Sequence, residues 1–311
     1  MNITVLGGTG FVGRLLVAHL VQAGHAVTLL SRNANAHFVR LVPPGVHIVT
    51  GDVYDPSFLQ THFAERDAVI NLVGILNESG DNGRGFQRAH VALTKLVIAS
   101  AQLAGVRRLL QMSSLNAGRG ESFYLKSRGE AEAAVKASGL DWTIFQPSVI
   151  FGPGDGFFCR FAELLKLAPI MPLAKASTKF APVFIGDVVQ AMVQALSSRA
   201  TIGQVYELYG SDVFTLAELV RMTAGQLGLK RLVVPLPDAL GRLQGLVFDF
   251  IPGKPFSSDN YRSLKTDSVG AIDGLHQLGI TPTRVGEQLA QILGAPGEKQ
   301  PRYDRYRKNS R

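Results

Sequence analysis

The sequence predicts an α/β fold, in which a doubly wound parallel sheet is followed by a smaller C-terminal lobe. Six short apolar runs alternate with helical patterns over residues 1–150, and near-continuous apolar strands are typical of a parallel sheet covered by helices on both faces. A glycine-rich turn directly follows the first of these runs. After about residue 150 the alternation stops and prolines interrupt the pattern, which indicates a lobe of different construction.

Each apolar run of the first half has the length and β-branched content of a strand. The predicted strands are Ile3–Leu6, Ala26–Leu30, His47–Thr50, Ala68–Val73, Arg108–Met112 and Asp141–Gln146. The predicted helices between them are Val12–Gln22, Ser57–Phe63, Ala89–Leu103 and Leu125–Lys136. Strands joined by helical crossovers predict a doubly wound core over residues 1–150.

The second half is less regular. Strands are predicted at Phe180–Phe184 and Val205–Leu208, on either side of a helix at Asp187–Leu196, and we expect residues 179–208 of the 151–297 lobe to return to the core. Thr215 and Glu218 form a capping box for a helix at Thr215–Leu227. The segment Leu246–Ile251 lies in a loop-rich stretch, and weaker helices are predicted near Ser268–Leu278 and Thr283–Leu293.

Composition excludes several classes of protein. Of the 311 residues, 46% are hydrophobic and 18% are charged, which excludes a disordered chain, a fibre and a coiled coil. The single cysteine, Cys159, excludes a disulfide framework and a cysteine-rich metal site, and the scattered histidines predict no metal site. No apolar stretch reaches the ~18 residues that a membrane-spanning helix needs, so we predict no such helix. The first strand begins at Ile3 without a basic leader, so we expect no signal peptide and a cytoplasmic protein.

The glycine-rich turn is spaced for phosphate binding. Gly7, Gly10 and Gly13 permit a tight turn, close approach of a pyrophosphate and close packing of the helix on the strand, in that order. Free N–H groups at the helix N-terminus then face the phosphates. This context predicts a Rossmann dinucleotide site, and a purely structural glycine turn is the alternative. The remaining predicted contacts of this turn are Thr9, Phe11 and Val12.

The ends of the second and third strands bear on which dinucleotide binds. Ser31 and Arg32 stand where an NAD-specific site usually has a carboxylate, and a cation there can pair with a 2′-phosphate. This favours NADP(H) over NAD(H), the alternative being a solvated surface arginine. Asp52 and Val53 follow the third strand, where a carboxylate can accept from the adenine amino group; the alternative role for Asp52 is to cap the helix Ser57–Phe63.

Several motifs together resemble the extended and atypical short-chain dehydrogenase/reductases. Besides the glycine triplet they are Gly51-Asp52-Val53, Asn71-Leu72-Val73-Gly74, Met112-Ser113-Ser114, Tyr124-x-x-x-Arg128 and Pro147–Pro153. Three segments also resemble bacterial relatives of the NAD(P)H-binding accessory subunit of respiratory complex I, alpha subcomplex subunit 9. They are Asn71–Leu76, Tyr124–Arg128 with Glu130 and Glu132, and Pro182–Val188.

The resemblance implies a catalytic set of a serine, a tyrosine and a lysine four residues after the tyrosine. Tyr124 matches the tyrosine, and Ser114 matches the serine with Ser113 as the alternative. The lysine position is occupied by Arg128, which shares a helix face with Tyr124, whereas Lys126 should point elsewhere. Arginine stays protonated and is a poor link in a proton relay. Either activity survives with altered geometry, or the protein keeps its cofactor site while catalysis has weakened.

Two strand ends complete the expected cofactor site. Asn71, Val73 and Gly74 lie at the carboxyl end of the fourth strand, where open α/β sheets bind ligands; the alternative for Asn71 is local hydrogen bonding that holds the strand end. The resemblance implies that Pro147 and Ser148, after the sixth strand, lie beside the nicotinamide carboxamide. Tyr124 and Arg128 are also expected to contact the cofactor.

Three functions are consistent with these motifs. The first is an NADP(H)-dependent oxidoreductase that acts on the carbonyl or alcohol of a small molecule, which the sequence does not name. The second is a cofactor-binding structural or sensor protein linked to respiratory complex I or quinone metabolism, as the resemblance implies. The third is an NAD-dependent sugar-nucleotide epimerase or dehydratase, although residues 160–260 show no clear group of basic residues for a diphosphate.

The C-terminal segment 298–311 is strongly basic. It contains six Lys or Arg and two acidic residues, a net charge of +4 out of +8 for the chain. We expect it to be mobile, because it lacks apolar residues. It could attach the protein peripherally to the inner face of an anionic membrane or to an acidic partner such as a respiratory complex, or it could only aid solubility. No helix has a basic stripe, so nucleic acid is not an expected partner.

Overall fold

The computed structural model describes residues 1–32, 43–251 and 254–294. The predicted basic tail at 298–311 lies outside these residues. Among the described residues, no helix is long and apolar enough to cross a membrane.

A seven-stranded parallel sheet forms the centre of the molecule, as the alternation of apolar runs predicts. Its strands are β1 (Asn2–Leu6), β2 (Ala26–Ser31), β3 (Val46–Thr50), β4 (Ala68–Asn71), β5 (Arg108–Met112), β6 (Asp141–Pro147) and β11 (Gln204–Leu208). Their order across the sheet is 3-2-1-4-5-6-11. The order reverses between β1 and β4, and in open α/β sheets ligands bind at the carboxyl ends of the strands at such a reversal.

Helices cover both faces of this sheet, so the predicted doubly wound class is confirmed. The helices are α1 (Phe11–Gln22), α2 (Pro56–Phe63), α3 (Arg84–Phe86), α4 (Leu93–Leu103), α5 (Phe123–Lys136), α6 (Phe158–Leu167), α7 (Ile185–Ser197), α8 (Leu216–Gln226), α9 (Asp238–Phe248), α10 (Ser258–Ser263), α11 (Gly274–Gln277) and α12 (Val285–Leu293). One face buries side chains of α1 and α7, and the other those of α2, α4 and α5. A π-helical turn, Gln87–Ala92, connects α3 to α4.

The lobe has a separate apolar core made by α6, α8 and α12. Short two-stranded pieces flank it: β7 (Ile150–Phe151) pairs with β10 (Val183–Phe184), β8 (Ile170–Leu173) with β13 (Leu232–Pro235), and β9 (Lys179–Phe180) with β12 (Phe214–Thr215). Within residues 179–208, α7 packs in the cluster that contains α1, and β11 extends the central sheet beside β6. The capping box of Thr215 and Glu218 is present at α8.

Two predicted strands have different bounds in the structure. β4 ends at Asn71 rather than Val73, because the Asn71 side chain accepts a hydrogen bond from the Val73 N–H, which therefore leaves the strand ladder. The predicted strand Phe180–Phe184 is two separate strands with different partners. Pro182 lies between them and has no N–H to continue a ladder.

Two expectations for the lobe are wrong. Residues 246–248 belong to α9 rather than to a loop. Of the helix expected near Ser268–Leu278, only α11 forms. The Glu207 carboxylate accepts hydrogen bonds from the N–H groups of Ala271 and Ile272, at 2.6 and 2.9 Å, so this stretch bonds to a side chain instead of forming helical turns.

Candidate functional site

The glycine turn joins β1 to α1 in the conformation that the spacing predicts. Gly7 has a φ of +77°, and a Cβ at this position would lie 3.0 Å from the backbone after β4. A Cβ on Gly13 would overlap the backbone of Gly7 and Gly8, so the glycine permits the helix to pack against the turn. No side chain caps α1 at Gly10, and its first turn contains no acidic residue. The N–H groups and the positive end of the helix dipole are thus available to an anion.

Ser31 and Arg32 mark the end of β2. Ser31 is buried and accepts, through its carbonyl oxygen, the Gly51 N–H at 3.1 Å, which brings the ends of β2 and β3 together. Arg32 is exposed directly after the strand.

Asp52 and Val53 follow β3. Asp52 is exposed and accepts the Tyr54 N–H at 3.0 Å. The cap of α2 is Asp55, which accepts the Ser57 N–H at 2.9 Å, so the alternative role of Asp52 as the helix cap is wrong. Val53 is buried among apolar residues of the sheet.

Asn71 has a buried side chain whose amide is bonded inside the protein. Its Nδ2 donates to Gln111 Oε1 at 3.0 Å and its Oδ1 accepts the Val73 N–H at 3.1 Å. The structure thus shows the local hydrogen bonding that was the alternative for this residue. Gly74, three residues beyond, is exposed, and a Cβ there would overlap the guanidinium of Arg128. Glycine therefore leaves room for that cation beside the turn.

Tyr124 lies at the start of α5, two residues after its cap. Ser122 Oγ accepts the Leu125 N–H at 3.1 Å, and the carboxylate of Asp259, from the lobe, accepts the N–H groups of Phe123 and Tyr124 at 2.7 and 3.0 Å. A carboxylate is favourable at a helix N-terminus. The lobe thereby fixes the first turn of α5, which carries Tyr124.

Arg128 lies one helical turn after Tyr124 and contacts it. The guanidinium carbon is 5.5 Å from the centroid of the tyrosine ring, and Nη1 donates to the carbonyl oxygen of Met112 at 3.1 Å. The side chain is buried, and it forms no ion pair with any described residue. Its Nε is also buried and has no hydrogen-bond partner among the described residues. Lys126 is exposed, as its position two residues from Tyr124 predicts.

The two candidate serines after β5 have different surroundings. Ser113 Oγ donates to Glu132 Oε1 at 2.6 Å, and Gln146 Nε2 donates to the same oxygen at 2.7 Å. Ser114 Oγ is buried and has no partner among the described residues. Only Ser114 therefore has a hydroxyl group that is free for a ligand.

The segment after β6 closes the site. Ser148 Oγ donates to the Ser268 carbonyl oxygen at 2.9 Å, and the Pro147 carbonyl oxygen accepts the Leu115 N–H at 2.9 Å. A Cβ on Gly152 would lie 3.6 Å from the Phe11 ring, which places this segment next to the glycine turn.

The structure brings the predicted residues to one edge of the sheet. The glycine turn contacts the segment after β4, Gly74 contacts Arg128, and Arg128 contacts Tyr124 and the end of β5. These elements meet at the carboxyl ends of β1, β4, β5 and β6, where open α/β sheets bind their ligands in a crevice. Thr9, Phe11, Val12 and Val73 are partly exposed there. The free helix N-terminus, the exposed glycine at 74 and the unpaired atoms of Ser114 and Arg128 fit a bound dinucleotide and a polar ligand.

Sequence reasoning missed two residues that hold Tyr124 in place. They are Asp259 and His90. His90 is buried in the π-helical turn, and its ring centroid is 5.5 Å from that of Tyr124. Burial, with a contribution from the charge of Arg128, lowers the pKa of His90 to about 2, so the ring is neutral. Asp259 is separated from Tyr124 by 135 residues, and no local pattern connects the two.

Comparison with known proteins shows the family of the chain. A family model described as NAD(P)H-binding matches residues 7–155. The ceramide reductase of Caulobacter vibrioides is 30% identical over 241 residues, which cover 76% of this chain and 74% of the relative. The chain belongs to the NAD(P)-binding family of extended short-chain dehydrogenase/reductase-like proteins. Mitochondrial NADH dehydrogenase [ubiquinone] 1 alpha subcomplex subunit 9 of Arabidopsis thaliana is 29% identical over 277 residues, 86% of this chain and 69% of the relative.

Solved structures confirm the fold. The complex of MoeE5 with UDP-glucose and NAD superimposes with a TM-score of 0.74 at 19% identity and covers 99% of this chain and 100% of that chain. DesIV, a dTDP-glucose 4,6-dehydratase from Streptomyces venezuelae, also gives 0.74, at 20% identity, with 99% and 98% coverage. At this level of identity the likeness extends to the Rossmann fold alone. Nicotinamide dinucleotide binding is a property of the family to which this chain belongs.

Proposed function

We propose that this protein is an NADPH-dependent oxidoreductase that reduces a carbonyl group, with Tyr124 as the proton donor. One observation carries the proposal: Ser114 Oγ, after β5, and Arg128 Nε, beside Tyr124, are buried and lack partners among the described residues. A buried polar atom without a partner costs about 1–3 kcal/mol, so such atoms are rare unless a ligand or water bonds to them. A substrate oxygen and a cofactor hydroxyl would supply the two missing partners.

Each side chain then has a distinct part in the reaction. The bound dinucleotide would supply the hydride. The Ser114 hydroxyl donates a hydrogen bond to the carbonyl oxygen and fixes its position, and the Tyr124 hydroxyl gives its proton to that oxygen. Arg128 keeps a fixed positive charge beside the tyrosine ring, which stabilises the negative charge that remains after the proton has left. Because arginine does not release a proton at working pH, Tyr124 must be reprotonated from solvent, which predicts slow turnover.

The substitution Tyr124→Phe tests this assignment. We expect hydride transfer to a carbonyl panel to fall by about 10²-fold or more, because the proton donor is removed, while NADPH still binds. The panel should include 2-alkyl-3-oxoalkanoates and 3-oxo derivatives of ceramides, which carry a reducible ketone, since one relative is a ceramide reductase and another, from Stenotrophomonas maltophilia at 28% identity over 258 residues, a 2-alkyl-3-oxoalkanoate reductase. Tyr206→Phe is the control, because it removes a tyrosine hydroxyl within β11, where the ring stacks on Phe145. Absence of turnover by the unmodified protein with every carbonyl would contradict the proposal.

The preference for NADPH over NADH rests on Arg32. It is exposed at the end of β2, and no carboxylate occupies that strand end. A charge-assisted bond to the 2′-phosphate is worth about 1.5–3 kcal/mol, so Arg32→Glu should weaken NADPH binding by about 10- to 150-fold and leave NADH binding nearly unchanged. Lys95→Glu, on an exposed face of α4, makes the same change of charge away from the site. Equal affinities of the unmodified protein for the two cofactors would disprove the preference.

A second candidate function is cofactor binding without catalysis. Two observations favour it: Arg128 stands where the resembled enzymes have a lysine, and complex I subunit relatives match 86–93% of the chain. In that case NADPH would stabilise the fold by mass action, by about 2.7 kcal/mol at 100 times its Kd. A thermal shift with NADPH, together with no turnover of the carbonyl panel, would favour this function.

A further inference from the structure

His90 occupies a position between the two walls of the crevice. It lies in the π-helical turn Gln87–Ala92 and is 1% exposed. A π-helical turn inside a longer helix is frequently found at a functional site. One wall, the turn after β4, contains Gly74 and Ile75, and the other, α5, carries Tyr124. The ring of His90 contacts both.

The hydrogen bonds of His90 have a defined direction. The Ile75 N–H can only donate, so Nε2 of His90, 3.1 Å away, accepts. The ring proton therefore resides on Nδ1, which donates to Ser127 Oγ at 2.8 Å. The Ser127 hydroxyl in turn donates to the carbonyl oxygen of Tyr124 at 2.8 Å. A single chain of bonds thus connects the backbone next to Gly74 with the backbone of the tyrosine.

Ring packing restrains the tyrosine side chain at the same point. The Tyr124 ring meets His90 edge-on, at 5.5 Å and 80°, and meets Phe86 at 6.0 Å and 74°. Phe86 also contacts the His90 ring, at 5.7 Å. Arg128 lies on the ring of Tyr124 as well and packs against Gly74. The direction of the tyrosine hydroxyl therefore depends on where His90 holds the two walls.

We propose that His90 is a positioning residue for Tyr124, acting through Ser127 and Ile75 as a neutral bridge between the tyrosine helix and the turn at Gly74. The inference rests on the proposed function of Tyr124. His90 does not touch the reacting atoms in this scheme. It sets the separation between the tyrosine hydroxyl and the turn at Gly74, which borders the expected cofactor site.

Three variants test the bridge. His90→Phe keeps an aromatic ring and removes both hydrogen bonds, Ser127→Ala removes the middle bond, and His90→Gln supplies one donor and one acceptor again. Thr4→Val is the control: it removes a buried hydrogen bond, from Thr4 Oγ1 to the His62 carbonyl oxygen, in the interior of β1. All four are compared at equal distance below their melting temperatures, so that loss of stability alone is separated from loss of position.

Single-turnover hydride transfer from NADPH to a β-keto ester is the first measurement. We expect His90→Phe and Ser127→Ala each to slow transfer by about 10-fold, with NADPH affinity changed by less than about threefold. The double variant should be no slower than either single one, because both break the same link. His90→Gln should recover most of the rate. Additive losses, or a loss no larger than that of Thr4→Val, would overturn the proposal.

A second measurement does not depend on activity. The chain has 7 tyrosines, so the protein can be labelled with 3-fluorotyrosine and the ¹⁹F resonance of Tyr124 assigned with Tyr124→Phe. We expect His90→Phe and Ser127→Ala to shift or broaden this resonance, and Thr4→Val to leave it unchanged. If the unmodified protein reduces no carbonyl but the resonance responds in this way, the proposed function fails and the bridge stands. A resonance that does not respond to His90→Phe refutes the bridge.

Discussion

Glycines have opposite effects in the two halves of this molecule. In the sheet domain, Gly7 and Gly13 shape a turn that leaves the N-terminus of α1 available to a ligand. In the lobe, Gly241 and Gly245 are the buried residues of α9 and close a contact inside the protein: a Cβ on Gly245 would lie 3.2 Å from the Ser258 backbone. Glycine thus leaves a helix N-terminus accessible to a ligand in the sheet domain, whereas in the lobe it permits close packing inside the protein.

In α9 the usual burial pattern of an amphipathic helix is therefore reversed. Its small residues face the protein, and its large apolar residues are more than half exposed; they are Leu240, Leu243, Leu246 and Val247. In α1 and α4, by contrast, the apolar residues face the sheet. The comparison teaches that an apolar stripe locates the buried face of a helix only where a large apolar surface is there to receive it.

The largest effect is expected for Gly13→Ala in the sheet domain. The new Cβ would overlap the backbone of Gly7 and Gly8, so we expect NADPH affinity to fall by about 10- to 100-fold and unfolding free energy to fall by about 1–3 kcal/mol. The matched control is Gly225→Ala in α8, where a Cβ meets no atom within 4 Å. It should stabilise the protein by about 0.5–1 kcal/mol, as calorimetry can show. If Gly13→Ala and Gly225→Ala changed the unfolding free energy equally, the special packing role of Gly13 would be disproved.

The second prediction compares the two serines after β5, Ser113 and Ser114. Ser114→Ala should slow hydride transfer by about 10²-fold without lowering the stability of the free protein, because its hydroxyl has no partner among the described residues. Ser113→Ala should instead cost about 1–3 kcal/mol of stability, since the buried Glu132 loses a donor. Transient kinetics and denaturant titration separate the two effects. A larger loss of rate in Ser113→Ala would show that the serine assignment is wrong.

The third prediction concerns pH. Because the pKa of His90 is lowered to about 2 in the folded protein, an unfolded chain takes up a proton below about pH 6.5 that the folded chain does not. Unfolding free energy should therefore decrease as the pH falls, by about 2 kcal/mol between about pH 7.5 and 5 from this residue. His90→Phe should lack this contribution, and His276→Phe, at an exposed position in the lobe, should keep it. Identical pH slopes for the unmodified protein and His90→Phe would contradict the burial of a neutral ring.

The smallest effect is expected on the outer face of α9. Leu243 is 54% exposed, so Leu243→Gln should change the unfolding free energy by less than about 0.5 kcal/mol. Leu219→Ala, at a fully buried position of the lobe, should cost about 2–5 kcal/mol. Urea titration of both variants measures the difference. A cost above about 1 kcal/mol for Leu243→Gln would mean that this face is buried in solution.

The parts of the fold that local chemistry specifies could be predicted well. The strands of the central sheet, the glycine turn and the capping box of α8 depend on residues close in sequence, and they were predicted within a few residues. Errors occurred where a distant or polar side chain bonds to the backbone. Asn71 ended β4 early, and Glu207 prevented a helix at residues 271 and 272.

The candidate site shows the same division. The sequence placed Tyr124 and Arg128 on one helix face, because four residues make about one turn. It did not distinguish Ser113 from Ser114, since only the position of Glu132 decides which hydroxyl is bonded. It also gave no sign of His90, whose partners are 15 and 37 residues away.

The sequence by itself determined the class of fold, the position of the glycine turn and the family of the protein, because these follow from periodicity and from motifs within a few residues. Only the tertiary structure decided which polar groups lack a partner among the described residues, that Asp259 caps the tyrosine helix, and that α9 faces outward with its leucines. The physical reason is that hydrogen-bond satisfaction and burial depend on which distant segments meet. The spacing of residues along the chain does not specify these tertiary contacts.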